Sequence, residues 1–195
     1  MKRYQHSIFE IEVYNDQTFT IGSADNNNNY EKIFFANNEI QHPTSKHGIK
    51  ILDADEVIAK CLIVGAVGVT TIHPNSSLIH ENRLIVCCSN SVFCLSIPNL
   101  EVEWITVTDQ ITCFQIFEKE DEFIVHGEME VTKLSKNGQV KWKFGGKDIF
   151  VSMENQEEFK IEKDGILLCD FANTFYKIDF NGNQIWSENK IKKSR

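Results

Sequence analysis

The chain has 195 residues, with 28 Asp and Glu against 20 Lys and Arg, and a formal net charge of −8. Hydrophobic residues make up 42% and charged residues 25%, a balance typical of a folded globular protein and unlike that of a disordered chain. The acidic balance argues against nucleic-acid binding, which needs Lys and Arg clustered on one face. No apolar run approaches the roughly 18 residues of a membrane-spanning helix, so we expect no membrane segment.

The amino-terminal segment lacks the pattern of a secretory signal. After Met1-Lys2-Arg3, residues 7–14 alternate apolar and charged side chains instead of forming an apolar run. The even number of cysteines permits a disulfide framework, but their sparse placement inside apolar runs favours buried free thiols. These cysteines are Cys61, Cys87, Cys88, Cys94, Cys113 and Cys169. We therefore expect a cytoplasmic protein.

Residues 1–69 predict an amino-terminal hairpin followed by a degenerate repeat. The hairpin would join residues 9–14 to residues 17–21 around Asn15-Asp16, and an exposed asparagine-rich loop follows. Residues 32–36 predict a strand, and residues 48–60 predict a second hairpin. A short helix over residues 53–61 is the alternative, because that window is rich in helix-forming residues.

Three repeats follow, over residues 70–109, 110–148 and 149–190, and residues 191–195 form a basic tail. Each repeat ends near one of the three tryptophans, Trp104, Trp142 and Trp186, at spacings of 38 and 44 residues. Within each repeat, three strands alternate with tight turns, and Asn137-Gly138 and Asn181-Gly182 predict two-residue turns with positive φ. Further strands are predicted at 110–117 and 149–153, and a surface loop or helical turn at 154–160. We expect the tryptophans to pack between neighbouring repeats.

This periodicity predicts a single all-β domain, a small propeller-like array of about four blades with the amino-terminal hairpin available to close it. A β-sandwich is the alternative fold. The pattern of an apolar strand, Asn-Gly and Trp resembles the repeats of quinoprotein-type and WD40-like β-propellers over residues 70–190. The resemblance implies an architecture and no cofactor, because quinoprotein dehydrogenases need more blades than 195 residues supply. The chain is also similar to small acidic bacterial β-repeat proteins, some of which are immunity proteins against contact-delivered toxins.

Six residues are candidates for binding. His126, Glu128 and Glu130 alternate along a predicted strand and would share one face, which suits a partner surface or, alternatively, a metal or acid–base site. His73, Asp109 and Asp148 would lie at the mouth of a propeller channel, where they would suit a small ligand or a basic peptide. The alternative for each aspartate is a turn in which its carboxylate accepts backbone N–H bonds. We assign no metal site, catalytic residue or cofactor.

The sequence thus favours a non-enzymatic module that binds a protein partner. The acidic balance favours a basic partner, and the most concrete hypothesis is an immunity protein that neutralises a basic toxin. The alternative is a small metal-dependent or lyase-type propeller enzyme that uses His126, Glu128 and an acid at the channel mouth. The oligomeric state is not defined by the sequence.

Overall fold

The computed structural model describes residues 1–36, 42–151 and 157–189, and all regular secondary structure in these ranges is β. It contains 17 strands in four sheets, one of five strands and three of four. The prediction of an all-β, propeller-like array of about four blades is confirmed. No helix long and apolar enough to cross a membrane occurs among the residues described.

The first sheet has the strand order β1-β2-β4-β5-β3, and β3 runs parallel to β5. Its strands are β1 (Lys2–His6), β2 (Phe9–Asn15), β3 (Lys32–Phe35), β4 (Ser45–Asp53) and β5 (Glu56–Gly65). The strand predicted at residues 32–36 and the hairpin predicted at 48–60 are confirmed as β3, β4 and β5. The alternative helix over 53–61 is wrong, because a turn at Ala54-Asp55 leads directly into β5.

The predicted amino-terminal hairpin is wrong in its pairing. Strand β2 pairs with the preceding β1, not with residues 17–21, which form turns and loop. Phe19 instead packs edge-to-face on Tyr30, with ring centroids 5.1 Å apart, and both cover Leu62 and Val64 on the outer side of the sheet. Burial of Phe19 in this cluster takes the place of strand pairing, and the β1–β2 hairpin and the degenerate repeat form one sheet.

The other three sheets are antiparallel meanders in chain order. The second contains β6 (Ser77–His80), β7 (Arg83–Cys88), β8 (Ser91–Ser96) and β9 (Val102–Val107). The third contains β10 (Cys113–Lys119), β11 (Glu122–Gly127), β12 (Glu130–Leu134) and β13 (Val140–Gly145). The fourth contains β14 (Phe159–Glu162), β15 (Gly165–Cys169), β16 (Thr174–Ile178) and β17 (Gln184–Asn189).

Two local predictions near the fourth sheet need correction. The strand predicted at 149–153 is wrong at residues 149–151, which are not extended into a sheet, and residues 152–153 lie outside the described ranges. The first strand of this sheet is β14, which begins inside the segment predicted as a loop or helical turn. Residues 154–156 of that segment also lie outside the described ranges. The strand predicted at 110–117 corresponds to β10, which begins at Cys113.

Apolar side chains on both faces of the middle sheets hold the array together. In β7, Leu84 and Val86 pack toward the first sheet, while Ile85 and Cys87 pack toward the third. Ile124 in β11 then joins the cluster shared by the third and fourth sheets. A sheet buried on both faces excludes the β-sandwich alternative, in which each sheet has one packed face. Among the described residues, no hydrophobic cluster joins the first sheet to the fourth.

All six cysteines are buried and none of them forms a disulfide, as predicted. Burial raises the pKa of the Cys61 and Cys94 thiols to about 12, and it raises that of Cys87 and Cys88 as well. Protonated thiols in this environment behave as small apolar side chains.

Tryptophans join successive sheets by packing on glycines of the next one. The ring of Trp104 lies against Gly138 and that of Trp142 against Gly182, and a Cβ added at Gly138 would lie 2.4 Å from Trp104 Cδ2. The glycine alone has positive φ in each turn, 77° at Gly138 and 82° at Gly182, so the predicted two-residue turns are wrong. Each turn is longer and has a register shift in the strand before it. Trp186, on the last strand, is 41% exposed.

Candidate functional site

The alternation of strand direction gives the array two ends with different chemistry. We call one the hairpin end, which carries the turns β6–β7, β8–β9, β10–β11, β12–β13, β14–β15 and β16–β17. The other is the linker end, which carries the turns β7–β8, β11–β12 and β15–β16 and the connections between sheets. At the hairpin end, the Arg83 side chain donates a 2.9 Å hydrogen bond to the Lys136 carbonyl, which links turns of the second and third sheets. All six binding residues predicted from the sequence lie at the linker end.

Asp109 is fully buried in the connection between the second and third sheets. Its Oδ1 accepts hydrogen bonds from the backbone N–H groups of Ile111 (2.7 Å) and Thr112 (3.0 Å). Its Oδ2 accepts from the N–H groups of Met129 and Glu130, both at 2.8 Å. With four backbone donors, this carboxylate holds the connection against the β11–β12 turn. The turn-forming alternative therefore describes Asp109 better than a ligand-binding role.

His126 is 1% exposed and lies between the third and fourth sheets. Its ring stacks on Phe159 with centroids 4.7 Å apart, and its Nδ1 is 3.3 Å from Gln115 Oε1. Burial lowers the pKa of His126 to about 3, so the ring is neutral at physiological pH. In this position the imidazole acts as a core aromatic group.

The prediction that His126, Glu128 and Glu130 share one strand face is wrong. Strand β11 ends at Gly127 and β12 begins at Glu130, so a bend separates the three residues. The Asp109 carboxylate occupies the space beside Gly127, because a Cβ there would lie 2.3 Å from Asp109 Oδ2. Glu130 pairs with Lys143 at 2.7 Å, and Glu128 is partly exposed.

His73 and Asp148 lie in the other two connections. The Nε2 atom of His73 is 2.9 Å from the Phe114 carbonyl oxygen, which fixes the ring against the third sheet. Asp148 is exposed and its Oδ1 accepts from the backbone N–H of Ile149 at 2.8 Å, so it does not repeat the buried arrangement of Asp109. Asp170 takes a comparable buried position in the fourth sheet. It accepts from the Thr174 N–H (2.8 Å) and the Tyr176 hydroxyl (2.6 Å).

Exposed carboxylates concentrate at the hairpin end. We define the acidic rim as five residues in or next to the first hairpin turns of the second, third and fourth sheets: Glu81, Glu118, Glu120, Asp121 and Asp164. Their side chains are exposed. Lys or Arg side chains pair with three of them, as Arg83–Glu81 (2.9 Å), Lys119–Glu120 (3.3 Å) and Lys177–Asp164 (2.8 Å), and the His80 Nδ1 atom lies 3.1 Å from Glu118. The Lys177 ammonium lowers the pKa of the Asp164 carboxyl.

Sequence reasoning did not single out the acidic rim. Its signal is the charged composition of the turns His80-Glu81-Asn82-Arg83 and Lys119-Glu120-Asp121-Glu122, each between two alternating strands. Turns of this kind are commonly charged, and the three turns that contribute to the rim are separated in sequence by about one repeat. Their common location follows from the stacking of the sheets.

Comparison with known proteins establishes the fold. No protein-family model and no curated protein matches the sequence. Among solved structures, BamB from Moraxella catarrhalis is similar with a TM-score of 0.50 and 11% identity, over 73% of this chain and 43% of that one. The computationally designed protein Ika8 is similar with a TM-score of 0.52 and 8% identity, over 79% of this chain and 48% of that one. The WD40 domain of Neurospora crassa Pan2 gives a TM-score of 0.46 and 14% identity, over 60% and 38% of the two chains.

The array is thus of the β-propeller type, as the repeat pattern predicts. The chain spans less than half the length of each of these structures. At these identities the likeness concerns the fold alone.

Proposed function

We propose that this chain is a protein-binding module and that its acidic rim contacts a basic segment of the partner. The observation that carries the proposal is the contrast between carboxylates at the two ends. Asp109 at the linker end is occupied by four backbone donors, whereas the carboxylates of the rim project into solvent.

The charge of the whole chain supports a basic partner. A net charge of −8 attracts cationic proteins at long range, and exposed carboxylates on successive turns then offer several contacts to Lys and Arg side chains. Breaking an exposed ion pair such as Lys119–Glu120 costs little free energy, since a surface ion pair contributes only about 0–1 kcal/mol to stability. A partner's cation can therefore replace an internal one.

The finer form of the proposal is an immunity-type inhibitor that covers a basic toxin domain in the cytoplasm. Six buried cysteines that form no disulfide fit a reducing compartment. The enzyme alternative receives no support from the position of His126, which packs on Phe159 with 1% of its surface exposed.

Binding of a fluorescent oligoarginine peptide at low and moderate salt tests the location of the contact. Replacing Glu81, Glu120 and Asp121 by their amides should weaken binding by about tenfold, if each charge contributes about 0.5 kcal/mol. The matched control removes three exposed or partly exposed charges at the linker end, through Glu128→Gln, Asp148→Asn and Glu157→Gln. It should change the affinity by less than about threefold.

Equal weakening by the two triple variants would show that only net charge matters and would reject the rim as the contact surface. The immunity hypothesis is tested separately by co-expression with the product of the adjacent reading frame. A stable complex with a basic toxin domain, disrupted by the rim variant and not by the control, is the expected result. A complex that is insensitive to the rim variant would reject this role for the rim.

A further inference from the structure

The geometry points to a divalent metal site at the hairpin end, formed by His80, Glu118 and Asp121; we propose that it binds a first-row transition ion such as Zn²⁺ or Mn²⁺. One ligand atom from each of the three residues lies within 4.8 Å of the other two. Donors placed 2.0–2.2 Å from one ion are at most about 4.4 Å apart, so a small side-chain movement is enough.

The three donors come from two sheets. His80 is the last residue of β6 in the second sheet, whereas Glu118 lies in β10 and Asp121 in the β10–β11 turn of the third. The His80 ring meets Phe123 edge-to-face, with centroids 5.3 Å apart, and this contact fixes its orientation. A bound ion would therefore connect two neighbouring sheets at a point already ordered by packing.

The His80 imidazole presents one ring nitrogen to the carboxylates of the site. His80 is only 5% exposed, and its Nε2 is buried without a hydrogen-bond partner among the residues described. Its Nδ1 is 3.1 Å from Glu118 Oε1. Nδ1 is therefore the ring nitrogen that would coordinate an ion beside Glu118, and the neutral tautomer that leaves Nδ1 free to coordinate carries its hydrogen on Nε2.

Charge at the site also favours a cation. Within the described ranges, no Lys or Arg side chain pairs with Glu118, and no ion pair involves Asp121. The neighbouring Lys119 points elsewhere, with its ammonium 4.9 Å from the Phe180 ring centroid and 3.3 Å from Glu120. Two carboxylates with one imidazole form a mixed oxygen and nitrogen donor set, which suits Zn²⁺ or Mn²⁺ better than Ca²⁺.

Isothermal titration of the full chain with ZnCl₂ and MnCl₂, with CaCl₂ as comparison, tests the site. We expect one Zn²⁺ or Mn²⁺ per chain, bound at least about tenfold more tightly than Ca²⁺. His80→Ala, Glu118→Gln and Asp121→Asn should each lower the affinity by about tenfold or more. We expect the two carboxylate variants to fold like the wild type, because both side chains are exposed. A loss of metal affinity in these variants therefore reports on the site and not on unfolding.

Asp164→Asn is the matched control. Asp164 occupies the same turn position in the fourth sheet but has Lys177 beside it and no histidine in the corresponding place. This variant should leave metal affinity unchanged. Thermal unfolding supplies a second measurement, since an ion that bridges two sheets raises the melting temperature of wild type and of Asp164→Asn, but not of Asp121→Asn.

The proposal is overturned if wild type binds neither ion at 1:1 stoichiometry, or if Asp164→Asn weakens binding as much as Asp121→Asn. Calcium affinity equal to that for Zn²⁺ would also overturn it. Because the test contains no peptide, its failure leaves the proposed protein-binding function untouched.

Discussion

The two ends of the array contain the same types of side chain in opposite roles. At the linker end, Asp109 is buried with four backbone donors and His126 is stacked in the core. At the hairpin end, Glu120 and Asp121 project into solvent and only the histidine of the cluster, His80, is buried.

The difference shows when a carboxylate in a repeat protein is available to bind a partner. It is available where no nearby unpaired backbone N–H group donates a hydrogen bond to it. Connections between sheets expose N–H groups that strands do not pair, and a buried carboxylate satisfies several of them together. Hairpin turns satisfy most of their own backbone groups, so their charged side chains remain free. Substitution of buried carboxylates at the linker end should therefore lower stability. Substitution of carboxylates at the hairpin end should instead weaken binding.

The largest expected effect is the loss of the Asp109 carboxylate. Asp109→Ala leaves four backbone N–H groups without their acceptor and should lower the free energy of unfolding by about 3 kcal/mol or more. Urea denaturation at neutral pH measures this change. Asp148→Ala, in the equivalent connection one sheet later, should cost less than about 1 kcal/mol. Similar decreases in the free energy of unfolding of the two variants would show that the buried Asp109 and the exposed Asp148 contribute equally to stability.

Buried histidines at the linker end should make the protein sensitive to acid. Burial lowers the pKa of His126 to about 3 and that of His47 to about 4, from 6.5 in the unfolded chain. Between these values the unfolded state binds more protons, so stability is complete above about pH 6.5 and falls as the pH decreases toward 4 and 3. At pH 4.5 the cost is roughly 2 to 3 kcal/mol for each histidine.

Urea denaturation at pH 7.5, 6.0 and 4.5 measures this effect. His126→Phe keeps an aromatic ring against Phe159 and should reduce the loss of stability on acidification relative to wild type. An unchanged pH dependence in this variant would show that His126 does not remain neutral in the folded state.

A smaller effect is expected at a turn of the hairpin end. Gly138→Ala places a methyl group against the Trp104 ring and forces a positive φ on alanine, which should cost about 2 kcal/mol. Gly22→Ala is the control, because Gly22 also has positive φ (79°) but has no atom within 4 Å of the added Cβ. It should cost about 1 kcal/mol. Equal costs would show that Trp104 moves without penalty.

The smallest effect is expected in the acidic rim. Glu120→Gln together with Asp121→Asn should change the free energy of unfolding by less than about 0.5 kcal/mol in metal-free buffer, because both side chains are exposed. Chemical denaturation with a chelator present is the measurement. A loss of more than 1 kcal/mol would give the rim a structural role like that of Asp109.

Much of the fold was predictable because its signals are local. Period-two alternation identified β2 and β10, and the positive φ of Gly138 and Gly182 followed from the Asn-Gly pairs. Strand β1 was missed because Lys2–His6 is largely polar and buries mainly Tyr4 against the second sheet. The partner of β2 was wrong because Phe19 is buried against Tyr30, a contact that no local pattern contains.

The candidate site was far less predictable. The sequence marked Asp109 as a residue of a channel mouth or a turn and His126 as a residue of a strand face, and both are held by groups from other segments. His80 is separated from Glu118 and Asp121 by about 40 residues along the chain and meets them only because β6 and β10 are adjacent.

By itself, the sequence determined an acidic, all-β repeat array with buried cysteines, because strand periodicity, turn residues and composition act over a few neighbouring positions. Tertiary structure alone decided which carboxylates are free, which histidines are neutral and buried, and that Trp186 has a more exposed position than Trp104 and Trp142. The physical reason is that a side chain's hydrogen bonds and burial depend on the sheet packed beside it. In this fold, that neighbour lies about one whole repeat away along the chain.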